Sequence, residues 1–292
     1  MNKNILVTGA TGHFGKAVIG YLLQKGASPS NIFALVRSEE KAKDLKAKGI
    51  TLKVGDYDNF SSLKEAFKGI DELMFVSGSD IVKRGKQHEN VIKAAKESHI
   101  KHIYYTSFVR KNETQASPIA LLARTHIDTE KAIKSSGTKY TIFRNNLYMD
   151  GLPMFFGNNV METGIFLPAG NGSFAFALRN EMTEATANVI LGKGHENKDY
   201  DISNSENITF HDIAKILSQI SNKKITYTDP DPKVFKETLS KAGVPEEGIA
   251  LASGFAEAIK QGEFTSDKKD LEHLLERKPT SLETFLKQMY AS

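Results

Sequence analysis

Short apolar runs alternate with longer amphipathic stretches through the first half of the chain. The runs are rich in β-branched and aromatic residues, a composition typical of buried strands. They lie at Ile5–Thr8, Asn31–Val36, Thr51–Val54, Glu72–Ser77, His102–Ser107 and Lys139–Arg144. Apolar positions at helical spacing predict helices between them, at Phe14–Lys25, Glu40–Lys48, Ser61–Lys68, Gly85–Ser98 and Pro118–Ser135. The alternation predicts a parallel sheet with helices on both faces, the doubly wound Rossmann-type α/β class.

The pattern changes after residue 150 to glycine-rich turns and a larger share of helix. Strands are predicted at Ser173–Ala177, Asp199–Ile202 and Ile225–Thr228. Helices are predicted at Glu181–Leu191, Phe210–Ser221, Pro232–Ala242, Pro245–Gln261, Lys268–Leu275 and Ser281–Met289. We therefore assign residues 1–150 to a Rossmann domain and residues 151–292 to a smaller, mainly helical C-terminal lobe, and we expect some segments of the lobe to return to the Rossmann sheet.

A glycine-rich turn joins the first predicted strand to the first predicted helix. It reads Gly9-Ala10-Thr11-Gly12-His13-Phe14-Gly15. In such a turn the first glycine permits a tight bend, the second lets the backbone approach a pyrophosphate, and the third lets the helix pack closely on the strand. The free N–H groups at the helix start then bind the phosphates. The Gly-x-x-Gly-x-x-Gly spacing in this context favours dinucleotide binding of the short-chain dehydrogenase type over a purely structural turn.

The residues after the second strand discriminate between NAD(H) and NADP(H). An acidic residue at this point binds the ribose 2′-hydroxyl of NAD, whereas a cation accommodates the 2′-phosphate of NADP. Arg37 follows the strand directly and Lys41 lies one turn further on, while Glu39 and Glu40 come too late to take the acidic role. We predict that Arg37 clamps the phosphate and that Lys41 adds a point charge. The alternative is an ordinary solvated arginine.

Polar and small residues follow the third and fourth strands, at the sheet edge where ligands bind in this architecture. Asp56 lies where the adenine ring is expected, so it either accepts a hydrogen bond from the adenine amine or serves as a turn aspartate. Ser77, Gly78 and Ser79 are small and leave room for the cofactor.

Composition excludes several kinds of site. The chain has no cysteine, which rules out disulfides, thiolate metal sites and a cysteine nucleophile. Its 39 basic and 35 acidic residues are interspersed, so no nucleic-acid-binding stripe is evident. The histidines and carboxylates lack metal-ligand spacing, so we expect no metal. Because no apolar stretch approaches ~20 residues and no secretion leader is recognisable, we expect a cytoplasmic protein without a membrane span.

Five segments together resemble the NmrA-like family of atypical short-chain dehydrogenases and reductases. They are Thr8–Gly15, Leu35–Arg37, Gly55–Asp58, Tyr105–Ser107 and Phe143–Tyr148. Within the family, the chain is similar to type 2 NAD(P)H:quinone oxidoreductases and to triphenylmethane reductases over essentially its whole length. The resemblance implies a flavin-free, NADPH-dependent reductase. It also implies that the cofactor is lined by Gly9 to Phe14, by Arg37, by Ser77 to Ser79, and by Arg144, Asn145, Asn146, Leu147, Tyr148 and Arg179.

The usual proton-donating pair of short-chain dehydrogenases, Tyr-x-x-x-Lys on the fifth helix, is missing. The fifth predicted helix has no tyrosine, and the matching spacing of Tyr21 and Lys25 lies on the first helix. His126 stands where the resemblance places a lysine in other family members, with Glu130 one turn later to orient it. His126 either holds or protonates an acceptor oxygen, or is a surface histidine paired with Glu130. Tyr148 either contacts an aromatic substrate or packs in the core.

A cofactor pattern without that pair favours direct hydride transfer to an acceptor that is already electrophilic, such as a quinone or another conjugated aromatic compound. Five residues are candidates for an apolar substrate wall: Phe108, Tyr148, Met149, Phe155 and Phe156. We therefore expect an NADPH-dependent two-electron reductase that is a monomer or a homodimer. The alternative is a non-catalytic, NADP(H)-sensing regulatory protein. An epimerase or dehydratase would need a tyrosine and a lysine that converge on the nicotinamide from elsewhere in the fold.

Overall fold

A seven-stranded sheet forms the centre of the computed structural model, which describes residues 3–290. The strands of the chain are β1 Ile5–Val7, β2 Ile32–Val36, β3 Thr51–Val54, β4 Glu72–Phe75, β5 His102–Phe108, β6 Lys139–Asn145, β7 Ile165–Phe166, β8 Ser173–Phe174, β9 Lys198–Ile202, β10 Ile208–Thr209 and β11 Tyr227–Thr228. The order in the large sheet is β3-β2-β1-β4-β5-β6-β9, and the pairings among β1 to β6 are parallel. Strand order reverses between β1 and β4, which is where ligands bind in doubly wound sheets.

Residues 3–290 contain thirteen α-helices, of which the first five connect the parallel strands β1 to β6 in turn. They are α1 His13–Gln24, α2 Lys43–Ala47, α3 Phe60–Ala66, α4 Arg84–Glu97, α5 Ala120–Ser135, α6 Pro153–Phe156, α7 Val160–Thr163, α8 Arg179–Leu191, α9 Phe210–Ser221, α10 Pro232–Lys241, α11 Glu246–Lys260, α12 Asp270–Leu275 and α13 Leu282–Tyr290. Every residue of β1 and β4 is buried, as expected when both faces of a parallel sheet are covered. The predicted Rossmann-type class is confirmed.

One face of the sheet packs against α3 and α4. Leu6, Leu73 and Phe75 point to this face because side chains alternate along a strand, and they join Leu63 of α3 and Val91 of α4 in one buried cluster. This apolar contact fixes α4 directly behind the end of β4. The position matters because the loop between β4 and α4 lines the cleft described below.

The largest departure in the first half is the predicted helix Glu40–Lys48. A 3-10 turn at Glu39–Ala42 is followed by the single-turn α2 instead. Only Ala42 and Leu45 are buried in this segment, and their spacing of three residues suits a tighter helix. With so few apolar positions, no continuous stripe holds a longer helix to the sheet.

The predicted strand Ser173–Ala177 is shorter than expected, because only Ser173 and Phe174 pair with another strand. Ala175 and Ala177 are fully buried, but their backbone groups bond to loops: the Ala175 N–H donates to the Phe264 carbonyl, and the Ala177 carbonyl accepts from Met149. The apolar run therefore marks burial rather than a full sheet ladder. Four short elements of this half, α6, α7, β7 and β10, lie outside the predicted set.

The chain divides into two compact units. Unit one contains Met1–Phe108, Leu122–Asn145 and Asn180–Tyr200. Unit two contains Val109–Leu121, Asn146–Arg179 and Asp201–Ser292. The chain passes between the units at several points, so their limits differ from a single boundary at residue 150. The late segment Asn180–Tyr200 lies in unit one, while the assignment of a Rossmann domain and a C-terminal lobe stays a prediction.

A buried carboxylate ties α5 to the sheet within unit one. Glu130 is 3% exposed and accepts a 2.5 Å hydrogen bond from the Ser107 hydroxyl of β5. The Arg144 guanidinium of β6 binds the same carboxylate through two nitrogens, at 3.2 and 2.7 Å. Arg144 also contacts Asp199 of β9 at 3.1 Å. Glu130 thus joins one helix to two strands, and Arg144 extends the network to a third.

We predict that Glu130→Ala lowers the free energy of unfolding by about 3 kcal/mol, because it leaves the guanidinium and the serine hydroxyl without this partner. Urea denaturation measures the loss. Asp128→Ala is the matched control, since Asp128 lies on the exposed side of the same helix and pairs with Arg124 there; its effect should stay within about 0.5 kcal/mol. Equal losses for the two variants would contradict the role of Glu130.

Candidate functional site

A cleft of about 460 Å³ opens in unit one at the carboxyl ends of the first four strands. It is lined by Gly9, Thr11, Gly12, His13, Phe14, Gly15, Leu35, Val36, Arg37, Gly55, Asp56, Tyr57, Asp58, Val76, Ser77, Gly78, Ser79, Asp80, Lys83 and Gln87. Most of the residues predicted to bind a dinucleotide within the first 80 positions therefore share one cavity. Two do not line it: Ala10 is fully buried beneath the turn, and Lys41 lies on the exposed 3-10 turn after β2.

The glycine-rich turn at one end of the cleft is a tight bend. Gly9 has a φ of +58°, a conformation that glycine adopts readily, and its carbonyl accepts from the Gly12 N–H at 2.9 Å. A Cβ on Gly15 would lie 2.5 Å from the Gly9 carbonyl oxygen and 2.7 Å from that of Thr8. Only a glycine fits there, so α1 starts in direct contact with the turn. The N–H groups of its first turn have no acceptor within the helix and lie at the cleft, an arrangement that suits an anion.

Tyr57 and Thr8 hold the neighbouring backbone. The Tyr57 hydroxyl lies 2.5 Å from Thr8 Oγ1 and 2.9 Å from the Val76 carbonyl oxygen, and the Val76 N–H donates to Thr8 Oγ1 at 2.9 Å. Burial raises the pKa of Tyr57, so its hydroxyl stays protonated and able to donate. These contacts tie the ends of β1, β3 and β4 together. Thr8 and Tyr57 lie within the sequence motifs described above, but no role was predicted for either residue.

The loop after β4 is held by side chains that accept from consecutive backbone amides. Thr106 Oγ1 accepts from the Ser77 N–H at 2.9 Å, and His88 Nε2 accepts from the Gly78 N–H at 3.0 Å. Sequence reasoning missed His88. The signal was present, because His88 shares the buried face of α4 with Val91 and Ile92, and a polar residue on an apolar helix face needs a partner.

Arg37 lies at the end of β2 and lines the cleft, as predicted. The nearest acidic side chain along the chain, Glu39, contacts Lys46 at 3.2 Å. Arg37 is exposed to solvent and so is free to meet a ligand in the cleft. Its predicted contact with a 2′-phosphate, and the supporting charge of Lys41, stay predictions.

Asp56 takes part in a turn while it lines the cleft. Its Oδ1 accepts from the Asp58 N–H at 3.0 Å, the pattern of an aspartate-capped turn. Asp58 in turn accepts from Gln87 of α4 at 3.1 Å, and the Asn90 amide donates to the Tyr57 carbonyl at 2.9 Å. The first turns of α4 therefore fix this loop as well as the loop after β4. Turn formation leaves Asp56 Oδ2 available for the predicted adenine contact.

His126 is buried on α5, at 6% exposure. The alternative of a surface histidine is therefore wrong, because the face of α5 that carries His126 packs on the sheet. Its Nδ1 lies 2.8 Å from the Tyr105 hydroxyl, and its ring centroid lies 6.0 Å from that of Phe108. Glu130, which was expected to orient it, binds Ser107 and Arg144. Substrate contact by His126 stays a prediction.

The end of β6 contains two different environments. The Arg144 guanidinium is engaged by Glu130 and Asp199, so it holds secondary structure together, and a cofactor contact from it stays a prediction. Asn145 is 4% exposed, yet neither its amide nitrogen nor its amide oxygen has a hydrogen-bond partner among residues 3–290. Leaving a buried amide without partners costs free energy, and the predicted cofactor contact of Asn145 stays a prediction.

In unit two, the predicted site residues contact one another. The Asn146 side chain binds other protein groups: its amide donates to the Ser203 hydroxyl and to the Phe264 carbonyl, and its oxygen accepts from the Leu147 N–H. The Arg179 guanidinium lies 4.4 Å from the centre of the Tyr148 ring and 3.0 Å from Asp150. These contacts leave the predicted cofactor roles of Asn146, Leu147, Tyr148 and Arg179 as predictions.

Two features of unit two bear on the substrate predictions. Burial is the main cause that raises the pKa of Tyr148, so its hydroxyl is a poor acid. Phe155 packs against Phe176, Phe210 and Phe255, with ring centroids 5.8 to 6.2 Å apart. It thus belongs to an aromatic cluster inside the unit, and a substrate-wall role for it stays a prediction.

The described part of the chain, residues 3–290, has neither a metal-binding cluster nor a membrane-spanning helix. No group of three or more histidine, aspartate or glutamate side chains there is arranged to hold a metal ion. No helix there has the length and apolarity to cross a membrane.

Comparison with known proteins gives full-length matches. A sequence model of the NmrA-like family matches residues 1–286. Quinone oxidoreductase 2 of Escherichia coli K12 is 37% identical over 281 residues, which span 95% of this chain and 96% of that protein.

Solved structures match equally well. Triphenylmethane reductase of Citrobacter sp., crystallised with NADP(H), has a TM-score of 0.88 and 36% identity, covering 99% of this chain and all 100% of that one. An NADPH-dependent quinone oxidoreductase of E. coli, crystallised with NADPH, has a TM-score of 0.88 and 33% identity, covering 98% of this chain and 99% of that one.

We predict that His88 makes stability fall in acid. Burial, and then the charge of Arg84, lowers the pKa of His88 to about 3 from its ordinary 6.5. Between these pH values the unfolded chain binds one more proton at this residue than the folded protein does. The contribution of His88 to the free energy of unfolding is therefore complete above pH 6.5. It is lost as the pH falls towards 3, by about 1.4 kcal/mol per pH unit.

Urea denaturation of the protein and of His88→Gln between pH 6 and pH 4 measures this effect. The free energy of unfolding of the variant should fall less steeply as the pH decreases. The difference in slope should be about 1.4 kcal/mol per pH unit, which corresponds to one proton. Identical slopes would show that His88 does not titrate in this way.

Proposed function

Because the chain belongs to the NmrA-like family, as its sequence motifs predicted, we propose that it is an NADPH-dependent reductase of quinones and related conjugated aromatic electrophiles. The relatives reported above are quinone and dye reductases, and two of them were crystallised with NADP(H) or NADPH. They support the reaction class, whereas the acceptor of this chain is inferred from its own residues.

The observation that carries the proposal is the cleft in unit one. It combines a helix start suited to a pyrophosphate with a cation, Arg37, at the end of β2 where the ribose lies in dinucleotide-binding folds. Gly15 leaves no space for a side chain between α1 and the turn, so the backbone itself is available to the phosphates. These features fit a dinucleotide.

Arg37 is the residue that would select NADP(H). Its planar guanidinium can donate two parallel hydrogen bonds to the 2′-phosphate of NADP. The 2′-hydroxyl of NAD has a single oxygen and cannot accept this pair of bonds. Lys41, one turn further along, would add charge without direct contact. Asp56 would bind the exocyclic amine of the adenine through its remaining carboxylate oxygen.

Asn145 is suited to hold the nicotinamide end. A carboxamide has one acceptor oxygen and two donor hydrogens, and the Asn145 side chain offers the complementary set. Because both of its polar atoms lack partners among residues 3–290, a carboxamide that bound there would satisfy them. This is the fit expected of a residue that orients the nicotinamide ring.

The bound cofactor would supply a hydride, which carries two electrons and one hydrogen. A quinone that accepts a hydride needs one further proton to become a hydroquinone. Since the acceptor is already electrophilic, the protein has to position it and exclude competing reactions rather than activate it. Tyr148 is a poor acid, and His126 Nδ1 is already in contact with the Tyr105 hydroxyl, so we propose that water supplies the proton.

We predict that the purified protein oxidises NADPH in the presence of a simple quinone with a turnover on the order of 1 s⁻¹ or faster. Gly15→Ala should abolish turnover, because the added Cβ collides with backbone oxygens. Gly20→Ala is the control on the same helix, since nothing lies within 4 Å of a Cβ there. Spectrophotometry at 340 nm follows the reaction with each variant. Tight NADPH binding without turnover for any quinone or dye would indicate the regulatory alternative.

We predict that Arg37→Ala weakens NADPH binding by about 10-fold to 100-fold and leaves NADH binding nearly unchanged. The lost charge-assisted hydrogen bond to the 2′-phosphate contributes about 1.5–3 kcal/mol. Arg124→Ala is the control, because Arg124 is an exposed arginine outside the lining of the cleft. Titration of both cofactors measures the change. Equal weakening of NADPH and NADH would refute this role of Arg37.

A further inference from the structure

His88 lies behind the wall of the cleft and has no part in the function proposed above. Its side chain is 1% exposed, and Gly78, which it contacts, lines the cleft while His88 itself does not. The ring accepts the Gly78 N–H on Nε2 at 3.0 Å. His88 therefore acts on the cleft through backbone.

The hydrogen bonds around His88 have a fixed direction. Since Nε2 accepts from the Gly78 N–H, the neutral ring carries its hydrogen on Nδ1, which lies 2.8 Å from the Thr129 hydroxyl oxygen. Thr129 donates its own hydrogen to the Thr125 carbonyl at 2.6 Å, so its oxygen is left to accept from His88. One continuous chain of donors and acceptors joins the loop after β4 to the backbone of α5.

The ring also has no freedom to turn away. Its centroid lies 4.8 Å from that of Phe75 and 5.8 Å from that of Tyr105, both in edge-on contact. A ring that was protonated on Nε2 would present a hydrogen to the Gly78 N–H. Burial opposes that state by lowering the pKa of His88, so the acceptor persists at neutral pH.

The backbone N–H groups of the loop after β4 donate to side chains that do not line the cleft, and these acceptors hold the loop in place. The three consecutive N–H groups of Val76, Ser77 and Gly78 donate to Thr8, Thr106 and His88. Thr8 and Thr106 follow or belong to strands β1 and β5, so two of the three supports come from the sheet. His88 alone comes from a helix, and it holds the residue furthest from the strand.

We propose that His88 is a positioning residue for the cofactor: by accepting the Gly78 N–H, it holds the Ser77–Ser79 loop in the conformation that receives the dinucleotide. This inference rests on the proposed function. It predicts that the hydrogen-bond acceptor at Nε2, rather than the bulk of the ring, determines the affinity for NADPH.

Two amide substitutions separate these contributions. In His88→Gln the amide oxygen reaches the position of Nε2 and can still accept from Gly78, whereas in His88→Asn the shorter amide reaches only the position of Nδ1. We expect His88→Asn to raise the Kd for NADPH about tenfold, and His88→Gln to stay within about threefold of the unaltered protein. Fluorescence titration measures the Kd, and hydrogen exchange at the Gly78 amide should show lost protection only in His88→Asn.

A second buried histidine, His102, provides a control that distinguishes an effect on stability from an effect on loop positioning. His102 begins β5, is 5% exposed, bonds to Thr141 of β6 and lies outside the lining of the cleft. His102→Gln should therefore lower stability in urea without changing the Kd. Thr129→Val keeps the His88 ring but removes the acceptor of its Nδ1 hydrogen, together with the hydroxyl's own bond to the Thr125 carbonyl. It should raise the Kd about threefold and serves if His88→Asn does not fold.

The outcomes are distinct. Unchanged NADPH affinity in both His88→Asn and Thr129→Val would overturn the positioning role while leaving the proposed function intact. A Kd that rises equally in His88→Asn, His88→Gln and His102→Gln would also overturn it, because the effect would then follow stability alone. Failure of the unaltered protein to bind NADPH would overturn the proposed function itself, and the inference with it.

Discussion

The close approach of α1 to the end of β1 is the constraint on which the cleft depends. A side chain at Gly15 would overlap the carbonyl oxygens of Thr8 and Gly9, so the helix can start this near the strand only because residue 15 lacks a Cβ. That approach places the N–H groups of the first helical turn at the switch point of the sheet, between β1 and β4. The site proposed for an anionic ligand therefore follows from the packing of α1 against β1.

The other walls of the cleft depend on side chains that bind backbone. Thr8, Thr106 and His88 accept the amides of the loop after β4, while Gln87 and Asn90 bind the loop after β3. Each such bond contributes about 1 kcal/mol on average, but their geometric effect is larger, because they fix loops that no sheet ladder holds. Residues of α4 make three of these five contacts, so this helix is the common support for the loops after β3 and β4.

Sequence predicted those features whose signals are local. The strand–turn–helix order predicted the fold class, and the glycine spacing predicted the Gly9–Gly15 turn. Five motif segments together carried the family resemblance, and the position after β2 pointed to Arg37, which lines the cleft. The contacts of Tyr57 with Thr8 and of Thr8 with Val76 join residues 49 and 68 positions apart, so no local pattern reveals them. His126 could not be placed from its helix alone, since burial depends on which face meets the sheet. The apolar run at Ser173–Ala177 predicted a strand because burial by loops and burial in a ladder leave the same pattern.

The central claim is that the cleft of unit one selects a dinucleotide with a 2′-phosphate. Calorimetric titration of the purified protein with NADPH and with NADH tests it most directly, because the two ligands differ only in that phosphate. We expect NADPH to bind at least about tenfold more tightly than NADH, in line with one charge-assisted contact from Arg37. Equal affinity for the two ligands, or tighter binding of NADH, would contradict it.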